Sequence, residues 1–281
     1  MTKERNICAS CIGMDFQNHV VVSDQKLPKW LENYNYVKNF VEKSHEFKLK
    51  RKKTKTLTIS LHVPDHKNQF VLYWAAMPSK NEMKIIGAKE AYGTFTNSGV
   101  SKVDSKGNVT FHIQCPQNYR AIVGKKEDIF YRHVHFCFEK NKVWDKDHIF
   151  TKVITCDVKM RNLKCIYSDG NQKCQPPGYI LINTLSKADY DKKHIPGSIH
   201  LDAETVRSMD SKQCENFFKK IIRTTPHLKK AVQQKDLFWY SIPIILYCKN
   251  KDCHASDHCL KELYEKGMVN VKILRQGMGT L

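Results

Sequence analysis

The stretch Ile242-Pro243-Ile244-Ile245-Leu246-Tyr247-Cys248-Lys249-Asn250-Lys251-Asp252-Cys253-His254-Ala255-Ser256 decides the fold. Ile244 to Tyr247 is a short apolar run rich in β-branched residues, as a strand buried on both faces requires. Cys248 follows at its carboxyl end, then a polar loop, and Ser256 opens a segment with Leu260, Leu263 and Tyr264 on one helical face. Ser256 suits a helix N-cap, Glu262 and Lys266 form a favourable i,i+4 pair, and Gly267 stops the helix. Val269–Leu274 reads as another strand. Strand, loop, helix, strand is a βαβ unit, and ligands of open parallel sheets sit beyond the carboxyl ends of the strands. A thiol there is expected to be solvent-accessible, ringed by backbone N–H groups and close to a helix N-terminus, which favours the thiolate. The plainer reading of Cys248 is a small apolar filler.

Working outward, Gly178 to Asp202 reads GYILINTLSKADYDKKHIPGSIHLD. A strand is followed by a short helix and by the turn His194-Ile195-Pro196-Gly197-Ser198. Together with Tyr247-Cys248 and with Gly267-Met268-Val269-Asn270-Val271, these motifs resemble, in order, those of a rhodanese-like domain. The resemblance covers roughly the last two fifths of the chain. It implies an α/β domain with a central parallel sheet flanked by helices, and a sulfurtransferase activity in which the loop cysteine carries sulfane sulfur as a persulfide. Cys248 is then the nucleophile, and Lys249, Asn250, Lys251, Asp252, Cys253 and His254 form the active-site loop. Asn183, His194 and Ser256 support it. The implied partners are a small sulfur donor and a thiol or protein acceptor, and no cofactor is required. The chain departs from the family pattern at several points. The loop has no arginine, Asn183 replaces the usual aspartate, Leu185 replaces an arginine, and the Gly-Gly-x-x-x-Trp element is reduced to Gln276 to Leu281. Many relatives of the fold are regulatory, so a non-catalytic interaction module is the alternative, and the Cys-x4-Cys spacing also suits a dithiol redox pair.

Upstream of this domain, Met160 to Pro177 is a linker by composition, and residues 159–177 are assigned to it. Cys165 and Cys174 flank a turn that can bring them close enough to pair if oxidised, but a cytosolic setting makes free thiols the expectation. From residue 57 to 158 the pattern is β: Leu57, Ile59 and Leu61 alternate with polar residues, and Phe70–Ala76, Asn108–Gln114, Ile129–Phe138 and Ile149–Val158 read as further strands. An antiparallel β-sandwich is expected. On the strand at His133-Val134-His135-Phe136-Cys137, period two places His133, His135 and Cys137 on one face, and His112 on the preceding strand is a further candidate ligand. The run from Gly107-Asn108-Val109-Thr110-Phe111 through Tyr119 to His133-Val134-His135-Phe136 faintly resembles the core of intradiol ring-cleaving dioxygenases, within about residues 92–138. That resemblance implies a metal ion held by His133, His135, Tyr119 and, as second tyrosine, Tyr92. The plain alternative is two histidines hydrogen-bonded at a sheet surface.

Residues 1–56 are read as an N-terminal helix and basic linker. Trp30, Leu31, Tyr34, Val37, Phe40 and Val41 make one apolar stripe after Pro28, and Lys48 to Lys55 is a basic run, either a solvated linker or a phosphate-contacting patch. Cys8 and Cys11 form one CxxC without a partner pair at zinc-finger spacing. The net charge of +19 is spread along the chain, which favours polyanions and makes non-specific nucleic acid a candidate partner. The abundance of Lys and Asn is of the kind that AT-rich coding gives, as in giant DNA viruses. No run is long enough to span a bilayer and no signal-peptide stretch is present, so the expected setting is cytoplasmic, with nucleus or virion as variants and no membrane partner. In that setting the eleven cysteines are expected to be thiols or metal ligands.

Overall fold

The computed structural model describes residues 57–123, 126–145, 148–158 and 178–278. The expected N-terminal helix, Cys8 and Cys11, the Lys48–Lys55 run, and Cys165 and Cys174 lie outside these residues. The described chain falls into two compact units, residues 57–80 with Ile86–Ile154, and Asn81–Ile85 with residues 155–278.

In the first unit, β1 (Leu57–His62) pairs antiparallel with β5 (Asn108–Ile113). A second sheet, formed by β2 (Phe70–Ala75), β4 (Ser98–Lys102), β8 (His133–Lys140) and β10 (Phe150–Val153), has the order β10-β8-β2-β4, with the short β9 (Val143–Trp144) paired to β8. A third contains β3 (Ile86–Gly87), β6 (Tyr119–Val123) and β7 (Lys126–Phe130), and α1 (Ala88–Tyr92) follows β3 directly. The antiparallel character expected of this region holds, apart from the short parallel pairing of β3 with β6. Period two explains the layering. Val71, Tyr73, Ala75, Val134, Phe136 and Phe138 share a core with Ile59, Val109, Phe111 and Ile113 of the β1-β5 pair. The opposite face of β2 and β8, with Leu72, Trp74 and Cys137, packs with Tyr92 and Tyr119. The sheet of β2 and β8 is thus buried on both sides, and a histidine on either face of β8 is interior.

Two expectations for this unit change. Ile129–Phe138 is not one strand: β7 ends at Phe130 and β8 begins at His133. The Asn97 amide donates to the carbonyls of Ala76 and Gln114 and so locks the chain as β4 begins. His112 does not join His133 and His135. Alternation along β5 puts Val109, Phe111 and Ile113 in the core, and the His112 ring instead faces Thr58 of β1 at 3.4 Å.

In the second unit the sheet has the order β12-β11-β13-β14, all parallel, from β11 (Ile180–Asn183), β12 (Ile199–His200), β13 (Ile244–Tyr247) and β14 (Val271–Leu274). The edge beyond β14 is extended by the segment at Asp157, where Val158 N–H donates to Ile273 O at 2.7 Å. Helices α2 (Lys187–Lys192), α3 (Ala203–Ser208), α4 (Ser211–Thr224), α5 (Pro226–Gln233) and α6 (Ala255–Glu265) complete it. α3 and α4 are separate helices although only Met209 and Asp210 lie between them. Asp210 accepts the Gln213 N–H at 2.7 Å while Gln213 Oε1 accepts the Asp210 N–H at 2.8 Å, a capping box that restarts the helix. All four residues of β13 are buried, as expected for the central strand of a parallel sheet. Among the described residues no helix is long and apolar enough to cross a membrane.

Candidate functional site

β13 delivers Cys248 to the carboxyl edge of the sheet, and α6 begins seven residues later. The connecting backbone is tightly specified. Asn250 Oδ1 accepts the Asp252 N–H, and Asn250 O accepts the Cys253 N–H, both at 3.2 Å. From the segment after β14, the strand beside β13, Met278 N–H donates to Cys248 O and Lys249 O at 3.1 and 3.0 Å. Gly277 makes that approach possible: it has φ +56°, and a Cβ there would lie 2.5 Å from Cys248 O.

The sulfur of Cys248 does not meet expectation. It is 3 % exposed rather than accessible, and its thiol donates to Cys253 O at 3.1 Å and more weakly to Asn250 O at 3.7 Å. Burial pushes the Cys248 thiol up, against the Oγ–H and N–H of Ser256, which pull it down. The ring of amides expected at Cys248 is shared out. The N–H groups of Ala255 and Lys249 reach Cys253 instead, and the Cys248 thiol bonds to it as well. Against the raising effect of partial burial, these donors hold Cys253 below the ordinary thiol range. Cys259 is fully buried, and burial drives its thiol far up.

Ser256 is not the N-cap. His254 holds that position without a side-chain cap bond. Ser256 is buried one step further in, and its Oγ lies 3.2 Å from Thr184 Oγ1, which also donates to Tyr247 O. Thr184, absent from the sequence-based candidates, therefore braces the serine that touches the sulfur. Asn183 is fully buried and turns the chain after β11, accepting the Leu185 N–H at 2.9 Å. His194 stacks on Tyr190 and bonds its carbonyl, inside the α2–β12 connection. That connection is tied to the active strand by Tyr247, whose hydroxyl accepts the Ile195 N–H at 2.9 Å and lies 2.7 Å from Ser198 Oγ. Lys249, Lys251, Asp252 and His254 are exposed on the outer side of the loop. Arg275, just past β14, bonds Asp257 in the first turn of α6 and Asp157 on the neighbouring segment.

The first unit holds a second constellation. Tyr92 ends α1, Tyr119 starts β6, His133 starts β8 and His135 follows on the same face; all four are buried. The structure brings the four side chains together. His133 Nε2 lies 3.0 Å from His135 Nε2, 3.0 Å from Tyr119 Oη and 3.4 Å from Tyr92 Oη, and the two phenol oxygens are 3.1 Å apart. These are interior histidines, not surface ones. Outside the cluster, His133 Nδ1 donates to Tyr131 O at 2.6 Å and His135 Nδ1 contacts Thr151 Oγ1 at 2.8 Å. Burial lowers both imidazoles, His133 to about 4, with the neighbouring His133 adding to the effect on His135. With its proton on Nδ1, neutral His133 has one lone pair on Nε2, yet three polar groups converge on it. Cys137 lies on the same strand in the apolar layer beside the cluster.

Cys137, Cys214, Cys248, Cys253 and Cys259 carry thiols. Cys115 and Cys156 depart from the expectation of thiols or metal ligands, as each is disulfide-bonded.

Comparison with known proteins gives one family match, the rhodanese-like domain over residues 168–279. No curated protein matches. Among solved structures, the chain is similar to the BH2092 protein of Bacillus halodurans, at 17% identity with a TM-score of 0.29, covering 44% of this chain and 69% of that one. It is similar also to the N-terminal domain of a Clostridium difficile 630 protein described as ATP/GTP binding. There the identity is 15%, the TM-score 0.23, and the coverage 43% of this chain and 92% of that one. The family match falls on the four-stranded parallel sheet with its cysteine loop and flanking helices, and the C-terminal region of this chain is a rhodanese-like domain.

Proposed function

We propose that the rhodanese-like domain transfers sulfane sulfur through a persulfide on Cys248. The observation that carries this is the placement of Cys248 at the carboxyl end of the central strand, with Ser256 Oγ and N–H directed at its sulfur. A thiolate generated there meets two donors that stabilise it. A persulfide adds a second, anionic sulfur bonded to Cys248 Sγ, and the Lys249 and Ala255 amides, which reach the neighbouring Cys253 sulfur, are donors suited to hold it. The test is transfer from a sulfane donor to cyanide, with the native protein weighed by mass spectrometry. Cys248→Ser is expected to abolish transfer and the added sulfur, and Ser256→Ala to slow transfer about tenfold or more, the loss of roughly one charge-assisted hydrogen bond. Full transfer by Cys248→Ser would leave the domain as a binding module with a degenerate loop.

A separate reading applies to the first unit, where Tyr92, Tyr119, His133 and His135 are suited to hold one metal ion. Donor atoms 3.0 to 3.4 Å apart fit the edges of a polyhedron around a cation at about 2.0–2.1 Å, the length of an imidazole–metal bond. A cation would relieve the crowding on His133 Nε2, and the contacts at Tyr131 O and Thr151 Oγ1 orient the two rings, as outer partners of ligating histidines do. Two phenolates and two neutral imidazoles are hard-to-borderline donors that suit iron in its ferric state, and a metal there would act as a Lewis acid. Elemental analysis is expected to find about one equivalent of iron per chain, with a visible phenolate-to-metal band, both lost in the His133→Ala/His135→Ala double variant. A metal-free protein that takes up none on incubation with ferric or zinc salts would overturn this reading.

A further inference from the structure

Taking Cys248 as the carrier leaves Cys253 without a task, although the loop is built around it. The Cys253 sulfur is the partly exposed one of the pair, receives two backbone N–H groups, and shares a hydrogen bond with the Cys248 thiol. The turn closed by Cys253 N–H to Asn250 O, with Asn250 Oδ1 on the Asp252 N–H, folds the four intervening residues back. As a result, Cys248 Sγ lies 3.1 Å from the Cys253 carbonyl. The strap of Met278 N–H on Cys248 O and Lys249 O holds the near end of this turn in place.

We propose that Cys253 is a built-in resolving thiol, which discharges the sulfur carried on Cys248 as hydrogen sulfide and leaves a Cys248–Cys253 disulfide. The inference rests on the persulfide reading above. In the step, the Cys253 sulfur attacks Cys248 Sγ. A bond forms between the two cysteine sulfurs, the bond from Cys248 Sγ to the terminal sulfur breaks, and its electron pair leaves with the terminal sulfur. The Cys253 proton ends on that sulfur, so persulfide anion plus thiol gives disulfide plus hydrosulfide. The carried sulfur is reduced to sulfide and the two cysteines are oxidised to a disulfide. An external dithiol reductant then returns the loop to its starting state. An internal thiol held against its target has an effective concentration that a free thiol in solution cannot match, so discharge within the loop outruns attack by a dilute external acceptor. The depressed proton affinity of Cys253 supports the assignment of attacker and target, since the attacking sulfur must be the thiolate.

The experiment loads the reduced full chain with inorganic polysulfide, removes the excess without added thiol, counts sulfide against a protein-free control, and maps the loop peptide by mass spectrometry. The wild type is expected to release one sulfide per chain and to yield a loop peptide lighter by two hydrogen atoms. Cys253→Ser is expected to keep the extra sulfur on Cys248 and to release sulfide about a hundredfold more slowly until dithiothreitol is added. A wild-type chain that keeps a persulfide on Cys248 beside an alkylatable Cys253 would overturn the resolving role and leave the carrier reading intact. Wild-type loading that persists unchanged in Cys248→Ser would overturn the carrier reading, and this inference with it.

Discussion

Cys248 and Cys253 share one loop, yet burial and hydrogen bonding move their proton affinities in opposite directions. Cys248 is enclosed and its thiol donates to carbonyls, which stabilises the protonated form. Cys253 accepts from Ala255 and Lys249 N–H, which stabilises the anion. A limiting amount of iodoacetamide at neutral pH is therefore expected to modify Cys253 first, Cys248 more slowly and Cys259 last, as read by peptide mass spectrometry. Preferential labelling of Cys248 would contradict the geometry. The pH dependence follows from the same contacts. The Cys248 thiol is one of the donors that lower Cys253, so Cys248→Ala removes a stabiliser of the thiolate and the rate–pH curve of Cys253 should move to higher pH.

The loop is held by contacts between segments remote in sequence. Gly277 admits the strap because it has no Cβ; in Gly277→Ala the new carbon would sit 2.5 Å from Cys248 O and 2.7 Å from Asn250 N, at a φ that L residues rarely adopt. A loss of about 1–3 kcal/mol is expected in urea unfolding, together with loss of the alkylation preference for Cys253. Wild-type selectivity in that variant would show that the strap does not set the loop. Tyr247 plays the corresponding part on the other side. Tyr247→Phe leaves the buried Ile195 N–H without its acceptor and the Ser198 hydroxyl without its partner, for a cost of about 1–3 kcal/mol. This tie gives a physical reason for the His-Ile-Pro-Gly-Ser turn and the Tyr-Cys strand end to occur together.

Two properties belong to the entire chain. Buried Cys214 has its thiol pushed up to about 11, from an ordinary value of 9.0, by desolvation on the buried face of α4. The folded state thus keeps a proton that the unfolded chain has lost. The stabilising contribution is complete below pH 9 and is lost as the pH rises towards 11, at up to about 1.4 kcal/mol per pH unit. Urea midpoints between pH 8 and 11, compared with Cys214→Ala, are expected to show a shallower decline in the variant. The second property is the net charge of +19, from which any binding to nucleic acid is expected to be nearly independent of base sequence and to weaken steeply with salt. Titration of labelled single-stranded DNA at two salt concentrations checks this, and salt-independent affinity would remove the charge argument.

The parallel sheet, its cysteine and the order of its motifs were legible in the sequence, because a strand buried on both faces has to be a short apolar run and a turn has to carry its Pro and Gly. Period two along the strand grouped His133 with His135, and the resemblance to ring-cleaving dioxygenases added Tyr119 and Tyr92 to the set. Local pattern did not reveal that β8 is covered on both sides, which turns a surface His pair into a buried one, nor that β7 and β8 are separate strands. The state of the loop thiols lay still further from the sequence. Thiolate or thiol is decided by which amides and carbonyls surround each sulfur. Those groups come from the turn at Asn250, from Ser256 braced by Thr184, and from a strap at Met278 on a distant part of the chain. Residue types and spacing determined that two cysteines would share this loop. Desolvation and hydrogen-bond direction, which exist only once the segments are packed, decided which of them is poised to be the thiolate.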